Sequence, residues 1–190
     1  MRFAVLAVVA LVSVADKPVQ AQTVTFDFAP LPILAGDPII SDYMTTIYGS
    51  PITTDGARAS RDRTDDATDV FISTSLQLLN RGDFEILFGE VPISGAQFEG
   101  HVIDATPGDD FTFLAFSDST LIFQLDRNDG VEIFDSGWLD FGEPVNRLVF
   151  SDSGRKDVGI DDLTVMPVPE PTCALLLLIG GVATLRRRRA

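Results

Sequence analysis

Phe111-Thr112-Phe113-Leu114-Ala115-Phe116, Leu121-Ile122-Phe123-Gln124-Leu125 and Val131-Glu132-Ile133-Phe134 decide the fold of this chain. Each is a short run of aromatic and branched residues in which apolar side chains recur at every second position. That is the period of a half-buried strand, not of a helix. Asn128-Asp129-Gly130 separates the last two with residues that favour tight turns. The same pattern extends in both directions. Upstream, Val24, Phe26 and Phe28 alternate with Thr25 and Asp27, and Asp69-Val70-Phe71-Ile72-Ser73, Phe84-Glu85-Ile86-Leu87-Phe88 and Phe98-Glu99-Gly100-His101-Val102-Ile103 follow. Downstream come Arg147-Leu148-Val149-Phe150 and Ile160-Asp161-Asp162-Leu163-Thr164-Val165. Arg81-Gly82-Asp83, Pro107-Gly108-Asp109-Asp110, Phe141-Gly142-Glu143-Pro144 and Ser153-Gly154 read as turns between them. Short strands at this spacing predict an all-β protein, an antiparallel β-sandwich of jelly-roll-like form spanning residues 22–166. No helix is expected within it. Ala29 to Thr68, with Pro30, Pro32, Pro38 and Pro51 and a polar run from Thr53, is expected to be an irregular excursion at one edge.

Composition narrows the chemistry. Of 190 residues, 45% are apolar and 22% charged, which excludes a wholly disordered chain. One His and one Cys argue against a His- or Cys-based active site, and a single Cys leaves no intramolecular disulfide. Between residues 22 and 166 there are eight basic and 26 acidic residues, a net charge near −18. Such a surface repels nucleic acid and anionic lipid and suits divalent cations or neutral or cationic polymers.

The two ends read differently from the middle. Met1 to Ala21 has Arg2, an apolar run from Phe3 to Ala15, and Val19-Gln20-Ala21 at a cleavage position, the pattern of a secretory signal peptide forming a short helix. At the other end, Pro169-Glu170-Pro171 precedes an apolar stretch from Cys173 to Leu185, closed by Arg186, Arg187, Arg188 and Arg189. A helix of that stretch would be about 20 Å long against a hydrocarbon core of about 30 Å, so its arginines would have to snorkel. Cys173 reads as a small apolar member of this helix.

This tail, residues 167–190, resembles the PEP-CTERM sorting signal of Gram-negative bacteria, a segment also catalogued as an ice-binding-protein C-terminal segment. The resemblance implies export, transient anchoring in the inner membrane by a short transmembrane helix, and processing near Pro169-Glu170-Pro171 by an exosortase-type enzyme. It further implies delivery to the envelope surface or the extracellular polysaccharide matrix. Gly159-Ile160-Asp161-Asp162-Leu163-Thr164-Val165 resembles the closing strand of carbohydrate-binding-module and galactose-binding-like jelly rolls. That resemblance implies a structural calcium ion joining the first strand to the last, with Asp27, Asp161 and Asp162 as candidate ligands.

Other residues carry weaker signals. Asp62, Asp65, Asp66 and Asp69 read as a solvated acidic loop, and Asp126-Arg127-Asn128-Asp129-Gly130 as a hairpin turn, not a calcium loop. Glycoside hydrolysis would need two positioned carboxylates, and Glu85, Glu99 and Glu132 are available without a motif that selects a pair. His101 reads as structural or exposed. Trp138, Tyr43 and Tyr48 are the rings on which a sugar could stack; Trp138 is expected either at a rim or, more in keeping with its size, between the sheets. The function expected is therefore non-catalytic: an exported sandwich acting in adhesion or matrix structure. A calcium-stabilised carbohydrate-binding module is the alternative, and a polysaccharide hydrolase a third reading.

Overall fold

The computed structural model describes residues 22–61, 70–74, 83–102, 111–128, 130–131, 133–152 and 158–168. The expected signal peptide and the sorting tail from Pro169 onward lie outside the described residues. Within Thr23–Val168, which forms one compact unit, period-two patterning produces twelve strands in two antiparallel sheets. The strands are β1 (Val24–Phe26), β2 (Ile52–Asp55), β3 (Ala57–Arg61), β4 (Val70–Thr74), β5 (Asp83–Phe88), β6 (Ile93–Val102), β7 (Phe111–Ser117), β8 (Thr120–Arg127), β9 (Ile133–Asp135), β10 (Leu139–Val145), β11 (Arg147–Asp152) and β12 (Val158–Pro167). The first sheet runs β10-β6-β12-β4-β3, with β1 also paired to β12 and β9 also paired to β6. The second runs β2-β5-β11-β7-β8.

Phenylalanines fill the space between the sheets. Phe98 of the first sheet meets Phe113 and Phe150 of the second, with ring centroids 5.1 and 5.2 Å apart. Phe84 stacks on Phe150 at 4.9 Å, and Phe111 meets Phe134 edge-on at the same distance. Each such burial contributes about 1.5–3 kcal/mol before entropy is counted.

Two expectations are corrected. The segment expected to be irregular contains a helix, α1 (Asp37–Tyr48), followed directly by β2 and β3. Gly36 is its N-cap, Pro38 sits in its first turn, where a missing N–H costs nothing, and Gly49 ends it at φ 75° with its N–H donating to the Thr45 carbonyl. Ile40 and Met44, one turn apart, are buried against the core, and Tyr43 and Tyr48 pack beside it. The Asp37 carboxylate accepts from the backbone N–H groups of Gly56 and Ala57, which ties the start of α1 to the β2–β3 turn. Second, Phe141-Gly142-Glu143-Pro144 is not a turn between strands. It lies within β10, where Gly142 takes φ 70° and the pairing with β6 shifts register.

Candidate functional site

Register on β6 sorts its side chains. Ala96, Phe98 and Val102 point into the core, so Gly95, Gln97, Glu99 and His101 share the outer face of the first sheet. Glu99 is paired directly with Asp161 of β12 on one side and with Asp135 of β9 on the other. Three carboxylates thus form one cross-strand row about 10 Å long at the usual strand spacing. Gln97 is paired with Thr164, which is paired in turn with Thr25 of β1; the two threonine hydroxyls are 2.9 Å apart.

Trp138 lies at the edge of this face and is 41% exposed. Its ring is seated on Gly95, where a β-carbon would fall 2.7 Å from the indole Cζ2. The strand β9–β10 connection is held by local bonds: Gly137 N–H donates to Asp135 Oδ1 at 2.8 Å, and Phe98 N–H donates to Ser136 Oγ at 2.9 Å. Gln97 Nε2 also donates to Asp135 Oδ1, at 3.2 Å. The expectation of a tryptophan packed between the sheets is therefore overturned in favour of the rim. The aromatic core is already filled by phenylalanine, and Ser136-Gly137 lifts the next residue outward.

The other aromatic candidates are half-buried. Tyr48 packs against Phe26 and Phe88 and donates its hydroxyl to the Val91 carbonyl at 2.9 Å; burial pushes its pKa well up from 10.0. Tyr43 donates to the Asp27 carbonyl, and burial, followed by the nearby Asp27 charge, raises its pKa as well. Both rings fasten α1 to the sandwich. His101 is 5% exposed and stacks on Phe71 with centroids 4.8 Å apart and planes 4° from parallel. Its Nε2 lies 3.0 Å from Glu99 Oε1, but the alignment is not that of a hydrogen bond, and among the described residues this buried atom has no other partner.

The proposed calcium ligands are spread along one strand junction. β1 does pair with β12, and continuing the register past Phe26↔Leu163 brings Asp27 alongside Asp162. Asp27 Oδ1 accepts from Ala29 N–H at 2.9 Å, and Asp161, 7% exposed, accepts from Asp162 N–H at 2.8 Å. Asp161 and Asp162 straddle a register shift against β6, with Asp162 at φ 47°. Among the described residues no group of three or more His, Cys, Asp or Glu side chains is placed to share a metal ion. A calcium ion at this junction would draw on Asp27 and Asp162 and take its remaining oxygens from backbone carbonyls and water.

The carboxylates considered for hydrolysis do not assemble. Glu85 lies on the outer face of the second sheet, 3.6 Å from Arg147, whereas Glu99 is on the outer face of the first. A whole sandwich separates them. Glu132, Asp62, Asp65, Asp66, Asp69 and Asp129 lie outside the described residues, as do Cys173 and the residues expected to form a sorting signal, Pro169, Glu170, Pro171 and Arg186 to Arg189. Asp126 sits within β8 and accepts from Thr112 Oγ1 and Gln124 Nε2. Among the described residues no helix is long and apolar enough to cross a membrane.

No family model matches the chain, and no curated protein does. Solved structures do. A family 29 carbohydrate-binding module complexed with mannohexaose is 14% identical with a TM-score of 0.41, covering 77% of this chain and 92% of that one. Another, complexed with cellulohexaose, is 12% identical with a TM-score of 0.40, over 77% and 92%. A family 61 module complexed with β-1,4-galactotriose is 10% identical with a TM-score of 0.38, over 63% and 90%.

Proposed function

We propose that this is an exported, non-catalytic sandwich that binds polysaccharide at the cell envelope or in the extracellular matrix through the outer face of its first sheet. The observation that carries the reading is Trp138. A flat ring, 41% exposed and braced from behind by a glycine, gives a pyranose ring a stacking surface that is already ordered before binding. Gln97 and Asp135 beside it supply amide and carboxylate groups for sugar hydroxyls. The test is affinity electrophoresis and calorimetry on a panel of neutral glucans, mannans and galactans. Wild type should bind at least one, and Trp138→Ala should lose about tenfold or more with its melting temperature nearly unchanged. Failure to bind any of them or any amino-sugar glycan, or equal binding by Trp138→Ala, overturns the proposal.

The address is part of the same reading. It rests on the order of Pro169-Glu170-Pro171, a short apolar stretch and four terminal arginines, which suits exosortase-type processing after transient anchoring in the inner membrane of a Gram-negative bacterium. A structural calcium ion at the β1–β12 junction is a second proposal. It is favoured by the pairing of β1 with β12, which ends at Phe26↔Leu163, one residue short of Asp27 and Asp162.

A further inference from the structure

Cross-strand positions normally avoid like charges directly opposite one another, because the pair destabilises the ladder. Here Glu99 and Asp135 face each other across β6 and β9, and Asp161 extends the row. Among the described residues neither Glu99 nor Asp135 is paired with an arginine or lysine. Asp135 is satisfied by neutral donors, the Gln97 amide and the Gly137 N–H. Glu99, its side chain 44% exposed, has the buried Nε2 of His101 3.0 Å from its Oε1, and among the described residues that nitrogen makes no hydrogen bond. The geometry does not suit a chelated metal, since no three such groups converge among the described residues. It suits positive charges that are themselves spread along a chain.

We propose that the glycan bound here is cationic: a polymer of amino sugars whose free ammonium groups lie over the Glu99–Asp135 pair while a neighbouring ring stacks on Trp138. The inference rests on the polysaccharide reading above and names its ligand class. Trp138 is seated on Gly95, four residues along β6 from Glu99, a span of about 14 Å that several linked sugar rings would bridge. Indole faces and carboxylates are the two groups that recognise ammonium, through the ring quadrupole and through charge. The excess of 26 acidic over eight basic residues between positions 22 and 166 draws such a polymer in and repels anionic ones.

The test compares a fully deacetylated glucosamine hexasaccharide with its N-acetylated counterpart, by calorimetry at mildly acid pH where the amines are charged and Asp and Glu remain ionised. Wild type should prefer the deacetylated sugar by about tenfold. Glu99→Gln with Asp135→Asn, which keeps the Oδ1 acceptor for Gln97 and Gly137, should abolish that preference, so that the two sugars bind equally. Asp42→Asn on α1 makes a single charge change away from the row and should preserve the preference. Trp138→Ala should weaken both sugars. Equal binding of the two sugars by wild type overturns the inference but leaves the polysaccharide reading standing. Persistence of the preference in the double variant also overturns it, since overall charge would then be the cause. Binding of neither sugar, nor of any glycan in the neutral panel, overturns both.

Discussion

Gly95 and Trp138 are fitted together so closely that a β-carbon on the glycine would lie 2.7 Å from the indole Cζ2 and 2.8 Å from the Leu139 carbonyl. Gly95→Ala therefore cannot keep both the ring position and the local β6–β10 pairing. The chain has one tryptophan, so its fluorescence reports this contact alone. The variant should shift Trp138 emission and weaken glycan binding, with a stability loss of about 1–3 kcal/mol from overpacking. Unchanged emission and binding would show that the indole is not held by this contact.

Two core phenylalanines should separate by burial. Phe113 is 0% exposed and touches Phe98 and Phe150, whereas Phe123 is half-buried between Phe113 and Phe141. Phe113→Ala should cost about 3–5 kcal/mol in denaturant unfolding, and Phe123→Ala clearly less. Equal losses would contradict the arrangement of the second sheet.

A calcium ion at the β1–β12 junction predicts an ion-specific gain. Binding the native state alone stabilises by about 2.7 kcal/mol at roughly a hundredfold excess over Kd. That corresponds to a rise in Tm of roughly 5–10 °C. Magnesium should give less, and Asp27→Asn should reduce the calcium effect. Identical melting in EDTA, calcium and magnesium would remove the ion from the account.

Tyr48 links stability to alkaline pH. Its folded-state pKa is raised above the ordinary 10.0 by burial, so the unfolded chain ionises first as pH rises. The contribution is fully present below about pH 10 and is lost as pH climbs from there through the folded pKa. Tyr48→Phe should flatten that alkaline decline while removing the bond to Val91, giving slightly lower stability at neutral pH. A decline as steep in the variant as in wild type would assign the loss to other groups.

If the tail is the sorting signal proposed above, altering it changes location without changing the fold. Replacing Pro169, Glu170 and Pro171 with alanine should leave full-length protein in the inner membrane. Deleting Arg186 to Arg189 should weaken its retention there. Normal release of tail-less protein from the triple variant would refute the assignment.

Much of the sandwich was legible because β5, β7 and β11 alternate buried and outward residues, and that alternation is a property of adjacent positions. α1 was not legible in this way. Its Pro38 and its β-branched residues are weak helix formers, and only Gly36, Pro38 and Gly49 taken together mark its ends. The acidic row was hidden for a different reason. Glu99, Asp135 and Asp161 are far apart in sequence, and only register places them side by side. Trp138 was named as a candidate, but its outward position depends on Gly95, 43 positions earlier, which no local pattern points to.

The position of β12 has a consequence for timing. It is the last described strand to leave the ribosome, yet β6 lies along one side of it and β4 and β1 along the other. Thr25 waits for Thr164, 139 positions later. Until then the strands of the first sheet exist without the one that joins them, and closing so long a loop makes assembly slow. Synthesis and folding are thereby separated: the nascent chain stays threadable for most of its length and commits to its final shape late. The same design sets the outcome of losing β12 itself, which would dismantle the first sheet from its centre and take the Trp138 face with it.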